Sequence, residues 1–368
     1  MKIGKIITGF VAVMLIPAMV FGGNEQRAGS AGASELLINP WARSSGWGGA
    51  NTAGVKGLES AYLNIAGTAF TKSTELIFSN TQWAVGTGIK INSFGLAQKL
   101  GDAGVLSLSM MSMNFGDIEI TTVDMPEGGI GTFRPVYSNI TLGFAKEFSN
   151  SIYGGLAVKI INEKIADLSA SGVALDAGIQ YITGMGKNKL GKKNSDNLKF
   201  GISMKNVGPT MRFKGDGMSF RGIVPSTDVI MTMDQRSADF ELPALITIGG
   251  MLDFRLAPQV DTVAGKITNN HRLSYALNFT SNSFTKDQFQ TGIEYAWKEI
   301  LMFRVGFVYE KGIEKYETRK TWFTGPTAGL SVQIPLNKEK GTTFSIDYSY
   351  RDTNPFDGVH SIGAKISL

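Results

Sequence analysis

The feature that most constrains this chain is a two-residue alternation of apolar and polar side chains, repeated in segments of about ten residues between polar or glycine-rich turns. Side chains on an extended strand point to opposite faces in turn, so each segment reads as a strand with one apolar and one polar face. Over 342–351, Phe344, Ile346, Tyr348 and Tyr350 oppose Thr343, Ser345, Asp347, Ser349 and Arg351. Over 288–298, Phe289, Ile293, Tyr295 and Trp297 oppose Gln290, Gly292, Glu294 and Lys298. Segment 271–280 sets Leu273, Tyr275, Leu277 and Phe279 against Arg272, Ser274, Asn278 and Thr280, and 198–205 sets Leu198, Phe200, Ile202 and Met204 against Lys199, Ser203 and Lys205.

The pattern predicts fourteen strands, at 74–83, 88–99, 104–113, 136–148, 151–161, 171–182, 198–207, 243–255, 271–281, 288–298, 301–311, 324–335, 342–351 and 358–368. An all-β chain of this kind reads as a transmembrane antiparallel β-barrel. An even count puts both barrel ends on the periplasmic side, where connections are short. Links 100–103, 149–150, 299–300 and 336–341 fit, and 114–135, 208–242 and 312–323 are the expected outer loops. Links 183–197 and 256–270 are longer than a periplasmic turn should be. A soluble sandwich with one wet face shares the alternation, but the apolar faces here are large and aromatic, with Trp83, Tyr137, Tyr181, Trp297 and Tyr350 near strand ends, where a membrane barrel carries its aromatic girdles. The last residues also alternate, Ile362, Ala364, Ile366 and Leu368 against Ser361, Gly363, Lys365 and Ser367, as a closing barrel strand would.

Composition agrees: 43% of residues are apolar yet only 18% are charged, and mean hydropathy is +0.01. Opposed faces that cancel in the average produce this balance. There is no cysteine, which removes disulfides, thiolate metal sites and a lipid-modified amino terminus. The formal charge is +5. Its basic residues are scattered, apart from Lys187, Lys189, Lys192 and Lys193 in one loop, so no nucleic-acid footprint is expected.

Residues 1–22 read as a secretory signal peptide, with Lys2 and Lys5 before an apolar run from Ile6 to Phe21 and small residues at Gly22 and Gly23 for cleavage. Residues 23–73 lack alternation but carry Leu36, Leu37, Ile38, Trp41, Trp47, Leu58, Tyr62, Leu63 and Ile65. That apolar surface predicts an N-terminal segment folded into the lumen of the 74–368 barrel; a disordered periplasmic leader is the alternative.

No catalytic, cofactor or metal site emerges. His271 and His360 are the only histidines, each in a different strand. The stretch Gly186 to Lys193 mimics a phosphate-binding loop until its last position, where lysine stands in place of Ser or Thr. Gly46-Trp47-Gly48-Gly49 lacks the spacing of a dinucleotide fingerprint. Asp117 and Glu119 alternate with Ile118 and Ile120 on one strand and read as a solvated face.

Several stretches resemble the PorV/PorQ family of outer-membrane proteins, relatives of FadL-like barrels. They are Ala42-Arg43-Ser44-Ser45-Gly46-Trp47-Gly48-Gly49-Ala50, then Asn64-Ile65-Ala66-Gly67, where Ile65 stands for the family's proline, then Ile91–Gln98, Met113–Ile118, Leu175–Tyr181 and Lys205-Asn206-Val207-Gly208-Pro209. The resemblance implies a plugged barrel of fourteen strands in the cell outer membrane, with Arg43, Gly46, Gly48, Gly49, Asn64 and Gly67 as its plug motifs. It also implies a non-enzymatic role in the type IX secretion system of Bacteroidota, with the secretion translocon or secreted proteins bearing C-terminal signal domains as partners beside the membrane lipids. A candidate partner surface is the outer loop 208–242, with Met211, Phe213, Met218, Phe220, Ile223, Val224, Met231 and Met233. The other reading is a FadL-like passive channel for hydrophobic small molecules. A lumen carrying Lys199, Lys205, Arg272, Glu294, Lys298, Asp347 and Arg351 is polar for that, which tips the sequence toward the interaction reading.

Overall fold

The computed structural model describes residues 25–187, 194–223, 229–261, 266–337 and 341–368. The expected signal peptide, the Lys189, Lys192 and Lys193 cluster, and Val224 lie outside the described residues.

A single closed barrel of fourteen antiparallel strands forms the body of the protein. Its strands are β1 (Thr74–Gln82), β2 (Lys90–Lys99), β3 (Val105–Asn114), β6 (Val136–Ser149), β7 (Ile152–Ile165), β8 (Leu168–Thr183), β9 (Leu198–Val207), β12 (Leu245–Asp261), β13 (Lys266–Asn282), β14 (Gln288–Trp297), β15 (Leu301–Glu310), β16 (Phe323–Asn337), β17 (Thr342–Thr353) and β18 (Val359–Ser367). Closure runs through β1 and β18, from Glu75↔Ser367 to Gln82↔His360, so no sheet edge is left unpaired there. Two small hairpins stand in the long loops, β4 (Ile118–Glu119) with β5 (Thr132–Phe133) and β10 (Ser219–Ile223) with β11 (Ile230–Asp234).

Strand phase matches the sequence pattern. Phe94, Leu142, Leu156, Ile179, Ile202, Ile248, Val305 and Ile346 are exposed on the outside, whereas Ser93, Thr141, Ser203, Thr247, Arg304 and Ser345 are buried within. An apolar outer band with a polar interior is the arrangement lipid imposes on a barrel of the outer-membrane type.

The expected strand count stands, but several strands are longer than alternation alone indicates. β12 and β13 continue to Asp261 and from Lys266, so most of the long link 256–270 is hairpin ladder, with Val260↔Ile267 among its pairs. β7 and β8 likewise meet in a tight turn at Ile165↔Leu168. Backbone pairing carries these extensions beyond the membrane, where no lipid demands an apolar face. Two members of the expected aromatic girdle face inward instead. Tyr137 is 1% exposed, and Trp83 packs edge-on against Trp322.

Connections at one end are short, except 184–197; the end bearing 115–135, 208–244 and 311–322 is the outer one. A single cysteine at Tyr316, 68% exposed in an outer loop, should react with a membrane-impermeant maleimide on intact cells. One at Glu299, in the turn between β14 and β15, should react only after the outer membrane is opened. The reverse pattern would invert the barrel.

Candidate functional site: the plugged lumen and its upper cavity

Residues 33–71 fill the lumen, running from the outer mouth to the periplasmic end. Leu36 and Ile38 pack near the top with Met111, Met113, Tyr137 and Met211. Below them come α1 (Ala42–Ser45), α2 (Ser60–Leu63) and a 3-10 turn over Ile65–Phe70, before β1 begins at Thr74. Such backbone fits inside a barrel only where the wall lacks side chains, and inward glycines supply that room. A Cβ on Gly306 would lie 2.5 Å from the Trp47 carbonyl, one on Gly329 3.0 Å from the Gly46 Cα, and one on Gly201 2.8 Å from the Ala53 Cα. Gly143 and Gly155 accommodate Ile65, and Gly178 accommodates Asn64, in the same way. Glycines in strand interiors cost sheet stability, so their recurrence here follows the close approach of the plug backbone.

Two kinds of polar contact hold the plug. On the β16–β18 side Arg43 donates from Nε to Asp347 Oδ1 at 2.8 Å and lies 3.5 Å from Glu59, which Lys365 meets at 3.1 Å. Asp347 also accepts from Ser331, whose hydroxyl receives an Arg304 guanidinium bond at 2.6 Å. On the opposite side the contacts are neutral. Gln180 donates to the Thr52 and Val55 carbonyls at 3.1 and 3.0 Å, and Asn278 to the Gly49 carbonyl at 2.7 Å.

The plug motifs converge on this scaffold. Gly48 and Gly49 adopt φ of 63° and 78°, a left-handed pair that turns the chain under Trp47. Asn64 caps the 3-10 turn by accepting from the Ala66 amide at 3.2 Å, while its amide donates to the Thr52 and Ile179 carbonyls. A Cβ at Gly67 would sit 2.3 Å from the Val55 carbonyl, so that position admits no side chain.

The plug leaves a cavity on each side. The lower one, about 520 Å³, is lined by paired charges, among them Lys199–Asp253 at 2.6 Å and Arg272–Glu294 at 2.8 Å. The upper one, about 590 Å³, opens toward the outer mouth between Ile38, Leu63, Trp83, Phe115, Val308 and Trp322. Polar groups line the same chamber, including the Glu35 and Glu310 carboxyls and three basic residues, Lys205, Lys320 and Arg351. Lys205 is 5% exposed and its Nζ lies 4.1 Å from the centre of the Tyr62 ring. Arg351 stacks its Cζ 3.7 Å above the Phe323 ring, and its buried Nε has no hydrogen-bond partner. Among the described residues neither forms an ion pair, unlike Lys159, which meets Asp176 at 2.6 Å beside Lys205. Burial pushes the Glu35 carboxyl and the Tyr62 phenol above their ordinary ranges.

The wall is irregular beside the chamber. β15 pairs with β16 only as far as Phe307↔Pro326. The β16–β17 register jumps between Phe323↔Thr353 and Thr327↔Arg351. Across this seam the backbone of Gly325, at φ 115°, lies under the Phe307 ring.

The expected outer-loop surface is only partly a surface. Phe220, Ile223 and Met231 are exposed, while Phe213, Met218 and Met233 are half-buried. Met211 is 1% exposed: an isolated bridge to Phe240 folds it back onto the 33–38 segment, which corrects its expected place. Lys298 also leaves the expected lumen face, since it stands in the periplasmic turn at φ 54°. The Asp117 carboxylate forms a two-point bond with Arg134 at 2.9 and 2.8 Å, an exposed loop contact. Lys205 and Arg351 were legible as inward residues, but their shared chamber was not, because it depends on where the plug stops.

No protein-family profile matches the chain. No curated protein matches it either, so the PorV/PorQ resemblance rests on its motifs alone. Among solved structures the chain is similar to a Pseudomonas aeruginosa FadL homologue at 10% identity, covering 89% of this chain and 97% of that one with a TM-score of 0.48. It is also similar to the CymD monoaromatic hydrocarbon channel (11% identity, 90% and 97% covered, TM-score 0.47). A third is the Pseudomonas putida toluene transporter TodX (11% identity, 95% and 96% covered, TM-score 0.46).

Proposed function

We propose that the barrel is a passive, non-enzymatic route for small hydrophobic molecules across the outer membrane, and that the upper cavity is where they are first held. The supporting observation is a chamber whose polar wall also carries Ile38, Leu63, Trp83, Phe115, Val308 and Trp322, and into which two cations, Lys205 and Arg351, reach without forming an ion pair among the described residues, although the Glu35 and Glu310 carboxyls line it as well. Such a chamber favours a molecule with an apolar body and an acidic head, because an anion there gives buried charge the partner it lacks. The broken ladder at β15–β16 supports a sideways exit, since the plug blocks the axis and the seam adjoins the chamber at Val308 and Phe323.

Pyrene-labelled dodecanoate, displaced in turn by dodecanoate and dodecanol, tests this in detergent. The acid should compete about tenfold better than the alcohol, and Lys205→Met with Arg351→Met should erase most of that preference, a change of ~1.4 kcal/mol. Absence of binding by both, or an unchanged preference in the double variant, contradicts the reading.

One observation favours a protein-partner role of the type IX kind as a second reading. In the outer loop the paired strands of the β10–β11 hairpin leave Phe220 49%, Ile223 59% and Ile230 63% exposed, an apolar patch. Recovery of a secreted protein's C-terminal signal domain with the native barrel, lost on Phe220→Ser with Ile230→Ser, is the result that reading requires.

A further inference from the structure

The described chain begins at the outer mouth, not at the periplasmic end. Arg27 pairs with Glu241 and its guanidinium lies 4.4 Å over the Phe284 ring, joining the outer segments 208–244 and 283–287. The Gly32 amide donates to the Glu241 carbonyl at 3.0 Å, and Ala31 bridges Glu241 in parallel. A Cβ on Gly32 would meet the Phe240 ring at 2.2 Å, so the strap lies flat on that ring. Ser34 and Glu35, immediately after it, line the upper cavity.

We infer that residues 26–32 are a detachable strap, lying on the cell-exterior face, that covers the upper cavity and clamps the 208–244 loop over it. The hold is weak by construction. Residues 26 and 28–30 are exposed, and the Arg27–Glu241 pair has side chains 39% and 51% exposed. An ion pair that wet contributes little. The hold changes at Ala33, whose φ of 49° and ψ of 42° place a non-glycine residue in the left-handed region. Beyond it the chain is fixed by burial, with Leu36 at 2% and Trp41 at 1% exposure. The strap can therefore lift as far as Ala33 while the plug stays seated.

The placement is independent of what the cavity binds; the lid role rests on the proposed uptake function. Ala28→Cys should be labelled by a membrane-impermeant maleimide on intact cells, as Tyr316→Cys is. Labelling only after permeabilisation, like Glu299→Cys, would overturn the strap. For the lid, stopped-flow binding of pyrene-labelled dodecanoate to Arg27→Ala/Gly32→Leu should speed up about fivefold, the factor that corresponds to ~1 kcal/mol of lost clamping. An unchanged rate with intact binding overturns the lid. If the native barrel binds no probe, both the lid and the uptake reading fall, while the labelling result still decides where the strap lies.

Discussion

Arg43→Met should undock the plug. Arg43 is the centre of the ionic anchor, and removing it leaves Asp347 and Glu59, both nearly inaccessible, without their shared counter-charge. Breaking a buried pair by deleting one member typically costs ~3–5 kcal/mol, because the remaining charge stays desolvated. Lys365 and Ser331 soften the loss, since each retains a bond to one of the two carboxylates. The population with a displaced plug should rise by a factor on the order of 100 or more. Limited proteolysis within 33–71 of the barrel in lipid measures it. Pairing Arg43→Met with Asp347→Asn should recover much of the protection, because the uncompensated charge is then gone. If Arg43→Met alone leaves the plug as resistant as the native protein, the ionic anchor has no such role.

The second large effect is steric. Leucine at Gly306 would place its first side-chain carbon 2.5 Å from the Trp47 backbone, which cannot rotate away as a side-chain end would. Overpacking at such a point costs ~1–3 kcal/mol or more, and the plug is the element free to move. Gly250→Leu is a control on the outward face of β12, with Ile246 and Ile248, because the nearest atom to its Cβ is 3.9 Å away. Tryptophan fluorescence should report displacement of Trp47 in the first variant and not in the second. Equal spectra from both would mean the close approach does not hold the plug.

Much of this fold is legible in the sequence, for a definite reason. A barrel wall is a two-sided sheet, and the two-residue period follows directly from lipid on one side and polar groups on the other. The phase of Phe344 to Arg351 and of Phe289 to Trp297 therefore translates into facing without knowledge of the rest. Legibility ends where another constraint governs. Strand length beyond the membrane depends on backbone pairing, so β12 and β13 outrun their alternation. Tyr137 and Trp83 have the chemistry of girdle residues, yet packing around Leu36, Ile38 and the upper cavity draws them inward.

The plug is legible only as apolar content without alternation. Its seat is written in the strands, as glycines at Gly143, Gly155, Gly178, Gly201, Gly306 and Gly329. A glycine reads by default as a turn or a weak strand position, and nothing in one strand reveals that its neighbours carry glycines at matching height. Register supplies that fact: Gly155 faces Gly178 and Gly292 faces Gly306 across the ladder. The same holds for the chamber, where Lys205 and Arg351 lie far apart in sequence and are brought together by closure of the barrel around residues 33–71.

The central claim is that residues 33–71 close an otherwise open barrel, and planar-bilayer conductance tests it most directly. The intact protein should be nearly silent, and a variant lacking residues 28–68 that still assembles should show a steady conductance, because a barrel of this strand number is wider than its own side chains fill. A large, steady conductance from the intact protein, unchanged by the deletion, would contradict it.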